Sequence, residues 1–158
     1  MDNKNEEMFV FNRFAFDDFT EALRAVRVSK VLENVEAKSF LVRYSVIAYC
    51  RPFTKCRGKI ENTIRLDESY VPPEHLPFHR QLLDLRDQLI AHTDLKVLDP
   101  KLYGWKTKVG PMYPIGFKPP DPKEVLKQVD SLEAIFSSVM DEAHRRITAM
   151  EKSLPLDG

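Results

Sequence analysis

The segment "PFHRQLLDLRDQLIAHT", from Pro77 to Thr93, repeats apolar residues at alternating spacings of three and four. This spacing places them on one face of an α-helix, as burial against other helices requires. The residues of this face are Phe78, Leu82, Leu85, Leu89 and His92. We therefore expect a helix from about Pro77 to Thr93 whose apolar face ends in a titratable imidazole.

Two further helices are predicted before this one. From Asp17, a candidate N-cap, apolar residues recur at helical spacing with charged residues between them. The residues of that face are Phe19, Leu23, Val26, Val31 and Val35. A second helix, "SFLVRYSVIAYCRPF", is predicted from a cap at Ser39 to Pro52, because proline removes a backbone donor and restricts the preceding residue. Residues 1–13 are expected to form a loosely held, flexible arm.

The remaining segments are rich in proline or begin with a strong cap. Residues 54–75 are predicted to be a loop, and residues 99–120 a proline- and glycine-rich insertion. Within the insertion, "KLYGWKTKV" and "MYPIGFK" around Gly110-Pro111 are expected to pair as a short, irregular β-hairpin.

A final helix is predicted from the N-cap Asp121, with Pro122 in the first helical position and Glu124 completing a capping box. Its apolar face reaches about Lys152 and consists of Val125, Val129, Leu132, Phe136, Val139, Ala143, Ile147 and Met150. Amphipathic helices of this number usually close around one core. The predicted fold is an all-α four-helix bundle in a single domain, 1–158.

Composition excludes several classes of protein. The 24 basic and 24 acidic side chains cancel, so any attraction to nucleic acid must come from a local patch. Cys50 and Cys56 form no CxxC pair, and no apolar run approaches the ~20 residues that span a bilayer. The acidic start "MDNKNEEMFV" is unlike a signal peptide. We expect a cytoplasmic protein without membrane contact.

Sites for cofactors and metals are not predicted. The chain has no glycine-rich phosphate loop and no signature of a serine or cysteine nucleophile. His75 and His79 stand four apart beside Glu74, a spacing known from zinc sites, but Pro77 interrupts them and no third ligand is evident. We expect no cofactor and no metal.

Within the Pro77–Thr93 helix, an arginine and a histidine are separated by five residues, in the order Arg86-Asp87-Gln88-Leu89-Ile90-Ala91-His92. This pattern resembles the signature of the HEPN superfamily of small helical-bundle proteins, in which an arginine, often followed by a polar residue such as Asp87, precedes a histidine by four to six residues. The resemblance covers this helix closely and the bundle loosely. The insertion that contains Trp105 has no counterpart that we recognise in the family, and its role is open.

The resemblance implies metal-independent cleavage of RNA, in which the 2′-hydroxyl attacks the adjacent phosphate and leaves a 2′,3′-cyclic phosphate. It implies that His92 carries a proton, for which its near-neutral pKa suits it. It further implies that the guanidinium of Arg86 neutralises the phosphate oxygens and that Asp87 orients Arg86 or a neighbouring imidazole. A toxin or defence component would be the biological setting, with a cognate antitoxin as a partner.

Spacing adds an expectation about assembly. Six residues of α-helix separate Arg86 and His92 by about 9 Å along the axis and by about 120° around it. One chain therefore struggles to bring both side chains to one phosphate, whereas two copies of the helix across a two-fold axis would pool them. We expect a homodimer, as the resemblance also implies.

Basic residues concentrate in the middle of the chain, where residues 38–65 contain seven basic side chains and one acidic one. The candidates for RNA binding are Arg51, Lys55, Arg57 and Lys59. Arg51, directly before Pro52, is a candidate third cation of the active site. In the insertion, four lysines alternate with aromatic residues, which suits single-stranded RNA but is also typical of a hairpin whose aromatic side chains cover the helices.

An alternative interpretation of Arg86 and His92 stays open. A histidine near the end of a helix is often a partly buried structural residue, and Arg86 then pairs with Asp84 or Asp87 on a solvated face. In that case the chain is a non-catalytic helical-bundle protein that binds a protein or nucleotide partner.

Overall fold

The computed structural model describes residues 3–90, 101–116 and 126–154, and for residues 88–90 only the backbone. This part of the chain is mostly helical. Its four long helices are α1 (Lys4–Val31), α2 (Val35–Cys50), α3 (Leu76–Ile90) and α4 (Val129–Glu151). A small β-hairpin region, built from four short strands, lies between α3 and α4 in the chain. None of the helices in the described ranges is long and apolar enough to cross a membrane.

The first helix begins earlier than the sequence predicts. α1 starts at Lys4, and Asn3 caps it by accepting a hydrogen bond from the backbone N–H of Glu6. The expectation of a flexible arm is therefore wrong for residues 4–13, and the proposed cap at Asp17 lies inside the helix. Burial explains the difference, because the side chains of Glu7 and Asn12 are already enclosed.

The break between the first two helices also lies earlier than expected. α2 begins at Val35, and the side chain of Asn34, not that of Ser39, accepts a hydrogen bond from the backbone N–H of Ala37. Val31 and Val35, predicted to be buried, flank this break and are exposed. The end of α2 at Cys50 agrees with the prediction, since Pro52 follows in a short 3₁₀-helix, Arg51–Phe53.

The core forms where α1 packs against both α2 and α4. Phe19 and Val26 of α1, Val42 and Val46 of α2, and Phe136 of α4 are fully enclosed in it. The face predicted for α4 is confirmed at its centre, where Leu132, Phe136, Val139, Ala143 and Ile147 are buried, together with Ile135, which was not predicted. The predicted cap of this helix, at Asp121, Pro122 and Glu124, lies outside the described residues.

α3 is confirmed as a helix, but its buried face is rotated from the predicted one. His79 and Leu82 are enclosed, whereas Phe78 and Leu85 are only half-buried. The thiol of Cys50 on α2 donates to the carbonyl oxygen of Leu82 at 3.5 Å, which marks the contact between the two helices.

The segment between α2 and α3 is a loop with two further 3₁₀-helices, Glu68–Tyr70 and Pro73–His75. An antiparallel bridge joins Cys56 and Ile64, and the backbone N–H of Leu66 donates to the carbonyl oxygen of Pro52 at 2.8 Å. The residues between these contacts are thereby gathered into one closed loop.

The predicted hairpin in the insertion is present. β1 (Lys101–Leu102) pairs antiparallel with β4 (Ile115–Gly116), and β2 (Trp105–Thr107) pairs antiparallel with β3 (Gly110–Met112). Its turn is formed by Lys108 and Val109, just before the predicted Gly110-Pro111. The alternative in which its aromatic residues cover the helices is wrong for Tyr103, Trp105 and Tyr113, since all three are exposed.

Candidate functional site

Arg86 and Asp87 are neighbours in the C-terminal part of α3, which the structure describes as far as Ile90. The side chain of Arg86 is 22% exposed and that of Asp87 is 70% exposed, and Nη1 of Arg86 lies 3.1 Å from Oδ1 of Asp87. Nε of Arg86 is buried and has no hydrogen-bond partner among the described residues. The arginine therefore keeps hydrogen-bonding capacity that Asp87 does not use.

Arg86 interacts electrostatically with the thiol of Cys50 on α2. Burial raises the pKa of Cys50 to about 12, and the nearby positive charge of Arg86 opposes this shift. A thiol in such a setting stays protonated at neutral pH and is a poor nucleophile. Cys50 is therefore not a reactive group of the candidate site.

His92 lies outside the described residues, as do all residues from 91 to 100. The structure thus brings Arg86 and Asp87 together and gives no distance between either of them and His92. The two-fold pairing of this helix is likewise a prediction.

Arg51 points toward α1. Its Nη1 lies 2.9 Å from Oδ1 of Asp18 and 3.7 Å from Oε2 of Glu21, and its guanidinium lies 5.7 Å from the ring centroid of Tyr44. The charge that the sequence suggested as a third active-site cation is therefore shared with two carboxylates of α1.

The three other candidate RNA-binding residues, Lys55, Arg57 and Lys59, all have exposed side chains on the closed loop after α2. Glu7 of α1 holds this loop from inside. Its carboxylate accepts hydrogen bonds from three consecutive backbone N–H groups, those of Lys59, of Ile60 at 2.9 Å and of Glu61 at 2.8 Å. The hydrogen bonds from Ile60 and Glu61 lower the pKa of Glu7. The loop thus presents basic side chains from an ordered backbone.

The histidine pair considered as a zinc site has other partners. Nδ1 of His79 forms a hydrogen bond of 2.9 Å with the hydroxyl of Tyr49, whereas Nε2 of His75 lies 3.5 Å from the hydroxyl of Ser138. Desolvation lowers the pKa of His79, so its imidazole is neutral at neutral pH. Across the described ranges, no group of three or more His, Cys, Asp or Glu side chains is arranged to hold a metal ion.

A surface cleft of about 420 Å³ lies between the second and third 3₁₀-helices and α4. Its charged lining residues are Asp141, Glu142 and Arg145. Two arginines, Arg145 and Arg146, bind Glu142 at 2.7 and 2.6 Å and hold its pKa at about 2. Ion pairs within the protein already occupy Glu142 and Arg145 of this cleft. The cleft includes none of the predicted site residues.

Sequence reasoning did not predict the burial of two polar residues, His79 and Glu7. His79 stands three residues before Leu82 and seven before Arg86, so the same helical spacing that selected Phe78 would have selected it. Glu7 fell in the assumed arm, although Phe11, Ala15 and Phe19 continue a four-residue spacing toward the N-terminus. That repeat was the available signal for a longer first helix.

In comparisons with known proteins, no protein-family model, no curated protein and no solved structure matches this chain.

Proposed function

We propose that this chain is a metal-independent endoribonuclease of the HEPN type, acting in the cytoplasm as a toxin or defence component. The observation that carries the proposal is the placement of Arg86, a mostly buried arginine whose Nη1 lies 3.1 Å from Oδ1 of an exposed Asp87. The side chain of Arg86 is 22% exposed, and a guanidinium is suited to a phosphate because its fork can bind two oxygens at once.

In the proposed mechanism, Arg86 binds the oxygens of the scissile phosphate and stabilises the charge that grows on them. His92 takes the proton from the attacking 2′-hydroxyl or gives one to the leaving 5′-oxygen. Asp87 holds the guanidinium in place through its contact with Nη1, at 3.1 Å. The basic loop, through Lys55, Arg57 and Lys59, binds the flanking phosphates.

We further propose that the four helices close as a bundle and that two copies pair through α3. The proposal rests on the spacing of Arg86 and His92, which favours a site shared between two chains. A cognate antitoxin would then bind over the shared site.

The test is cleavage of single-stranded RNA by the purified protein in excess chelator, with detection of the 2′,3′-cyclic phosphate. Arg86→Ala and His92→Ala are each expected to lower the rate by roughly 10²–10⁴-fold. Arg86→Lys keeps the positive charge but lacks the planar fork, so we expect its cleavage rate to stay close to that of Arg86→Ala. Arg80→Ala is the matched control, since Arg80 lies on the same helix and is paired with Glu68 at 2.6 Å.

Mixing the two inactive variants tests the shared site. If one chain supplies Arg86 and the other His92, mixed dimers contain one intact site and recover about a quarter of the wild-type rate. Recovery to that level supports the composite site, and its absence with intact dimers places both residues in one chain. Equal cleavage by wild type and both variants would mean a contaminating nuclease and would overturn the proposal.

A non-catalytic binding protein is the second candidate. The observation that favours it is the exposed apolar surface of the hairpin, on which Trp105 is 60% exposed. Absence of cleavage of any RNA, together with specific binding through the hairpin, would select this candidate.

A further inference from the structure

The β-hairpin of the insertion has two usable faces. Lys101 lies opposite Gly116, Leu102 opposite Ile115, and Trp105 opposite Met112, so one register continues from end to end. The backbone N–H of Tyr103 donates to the carbonyl oxygen of Pro114 at 3.0 Å, which joins the two pairs of strands. Because side chains alternate along a strand, Tyr103, Trp105 and Met112 share one face, and Leu102, Tyr113 and Ile115 share the other.

Both faces are open to solvent. The exposed fractions are 47% for Tyr103, 60% for Trp105 and 64% for Tyr113. Two of these rings lie against glycines of the opposite strand, since a Cβ on Gly116 would lie 2.9 Å from Cε2 of Tyr103 and one on Gly104 would lie 3.7 Å from Cε1 of Tyr113. The absence of a Cβ on Gly116 leaves room for the ring of Tyr103, whereas the distance at Gly104 is an ordinary contact distance.

All charged side chains of the hairpin are basic. Lys101, Lys106 and Lys108 are exposed, and residues 101–116 contain no aspartate or glutamate. Lys108 lies in the turn, so the cations run from the base of the hairpin to its tip. A ligand for this surface must offer flat apolar groups and negative charge together.

We propose that the hairpin 101–116 is a binding platform for single-stranded nucleic acid, which for the proposed ribonuclease is its RNA substrate. Bases stack on Tyr103 and Trp105, which share one face, and phosphates pair with the lysines of the hairpin, Lys101, Lys106 and Lys108. Tyr103 lies between β1 and β2, two residues before Trp105, a spacing of about 6.8 Å for extended backbone. Stacked bases follow one another at about 3.4 Å, so bases seated on both rings are unstacked from each other, which costs least in a single strand.

This inference rests on the proposed function only in naming RNA as the ligand, and binding can be measured without cleavage. The probe is a labelled 12-nucleotide oligouridylate whose 2′-oxygens are methylated, because it lacks the attacking hydroxyl. Trp105 is the single tryptophan of the chain, so quenching of intrinsic fluorescence reports contact with the hairpin directly. We expect saturable quenching by this strand and none by the same strand in a duplex.

Variants of the full chain then separate stacking from charge. Trp105→Ala is expected to weaken binding by roughly 5- to 100-fold in fluorescence polarisation, and Trp105→Phe to retain most of it. The double variant Lys106→Ala/Lys108→Ala is expected to reduce the slope of log affinity against log salt by about 1.4. Lys152→Ala, at the end of α4, is the lysine control and should change neither quantity.

Four outcomes would overturn the proposal. The first is an unchanged affinity of Trp105→Ala for the oligonucleotide, and the second is an equal loss of affinity in Trp105→Ala and Trp105→Phe with the hairpin intact by circular dichroism. The third is tighter binding of the duplex than of the single strand. The fourth is quenching of Trp105 fluorescence when the protein self-associates instead of when oligonucleotide is added. The last outcome would make the hairpin an interface between copies of this chain. Normal binding by Arg86→Ala without cleavage of natural RNA would support both proposals, whereas normal binding together with undiminished cleavage by that variant would reject the ribonuclease and keep the platform.

Discussion

The hydroxyl of Tyr49 on α2 and Nδ1 of His79 on α3 lie 2.9 Å apart, and neither side chain is exposed to solvent. The imidazole also contacts the ring of Phe53 edge-on, with centroids 4.5 Å apart, and Tyr49 stacks on Phe136 of α4 at 4.6 Å. One polar pair thus joins α2 to α3 inside an aromatic cluster that reaches α4. Since a buried polar group without a partner costs stability, this pair fixes how the helices align.

Replacement of Tyr49 by phenylalanine removes the hydroxyl and little else. We expect the free energy of unfolding to fall by about 1–3 kcal/mol, because Nδ1 of His79 is then left buried and unpaired. Urea denaturation followed by circular dichroism measures the change. Tyr44→Phe is the matched control, since the hydroxyl of Tyr44 donates to Glu21 at an exposed position and its loss should cost less.

His79 makes stability depend on pH in a defined direction. Desolvation lowers its pKa in the folded chain below the ordinary value of 6.5. Above that value the imidazole is neutral in both states, and its contribution to stability is complete. As the pH falls below it, the unfolded chain binds a proton that the folded chain refuses until its own lower pKa is reached, so the free energy of unfolding decreases.

The measurement compares urea denaturation of wild type and His79→Gln at about pH 8 and about pH 5.5. Wild type is expected to lose more stability over this range than the variant, by at most ~1.4 kcal/mol per pH unit. Parallel losses in both proteins would show that other groups cause the acid sensitivity and that His79 is protonated in the folded state.

The loop that carries the basic residues depends on Glu7 and Gly58. A Cβ on residue 58 would lie 2.5 Å from the carbonyl oxygen of Glu61 and 2.8 Å from Oε1 of Glu7. Gly58→Ala must therefore push the carboxylate away from the amides of residues 59–61. We expect faster hydrogen exchange at those amides, with the helices unchanged, and a similar result for Glu7→Gln. Because the pKa of Glu7 is lowered by these hydrogen bonds, the loop should also loosen in wild type as the pH falls below the ordinary value of 4.5.

Much of the helical architecture was predictable because periodic burial leaves a mark in sequence. The face of α4 and the end of α2 before Pro52 follow from spacing and from proline alone, and so does the presence of α3, although its buried face does not. The start of α1 was not predicted, since its first three turns bury the polar residues Glu7 and Asn12, which in sequence resemble those of a solvated arm. Their partners, the backbone of residues 59–61 for Glu7 and the hydroxyl of Tyr70 for Asn12, are more than 50 residues away in the chain.

The candidate site shows the same division. The contact between Arg86 and Asp87 could be predicted because both lie on one helix, whereas the ion pair between Arg51 and Asp18 could not. Asp18 and Glu21, which pair with Arg51, belong to α1, and no local pattern reveals which helix a long side chain will reach. The hairpin was found from its glycines and prolines, but the exposure of its rings depends on tertiary packing.

Salt dependence distinguishes the basic side chains that are free to bind RNA from those already neutralised. Lys55 and Arg57 are exposed on the loop after α2, whereas Arg51 is paired with Asp18 at 2.9 Å. The double variant Lys55→Ala/Arg57→Ala is expected to lower the slope of log affinity against log salt by about 1.4, because each lost phosphate contact contributes about 0.7. Arg51→Ala is expected to change the slope by less.

The control for net charge is the double variant Arg80→Ala/Arg145→Ala, which also removes two positive charges. Both arginines are bound to carboxylates, those of Glu68 and Glu142, so their loss should leave the slope nearly unchanged. Affinity for a methylated single strand, measured by polarisation between about 50 and 200 mM salt, gives all three slopes. Equal changes in the two double variants would mean that RNA senses only the total charge of the protein, and the loop would then hold no phosphate.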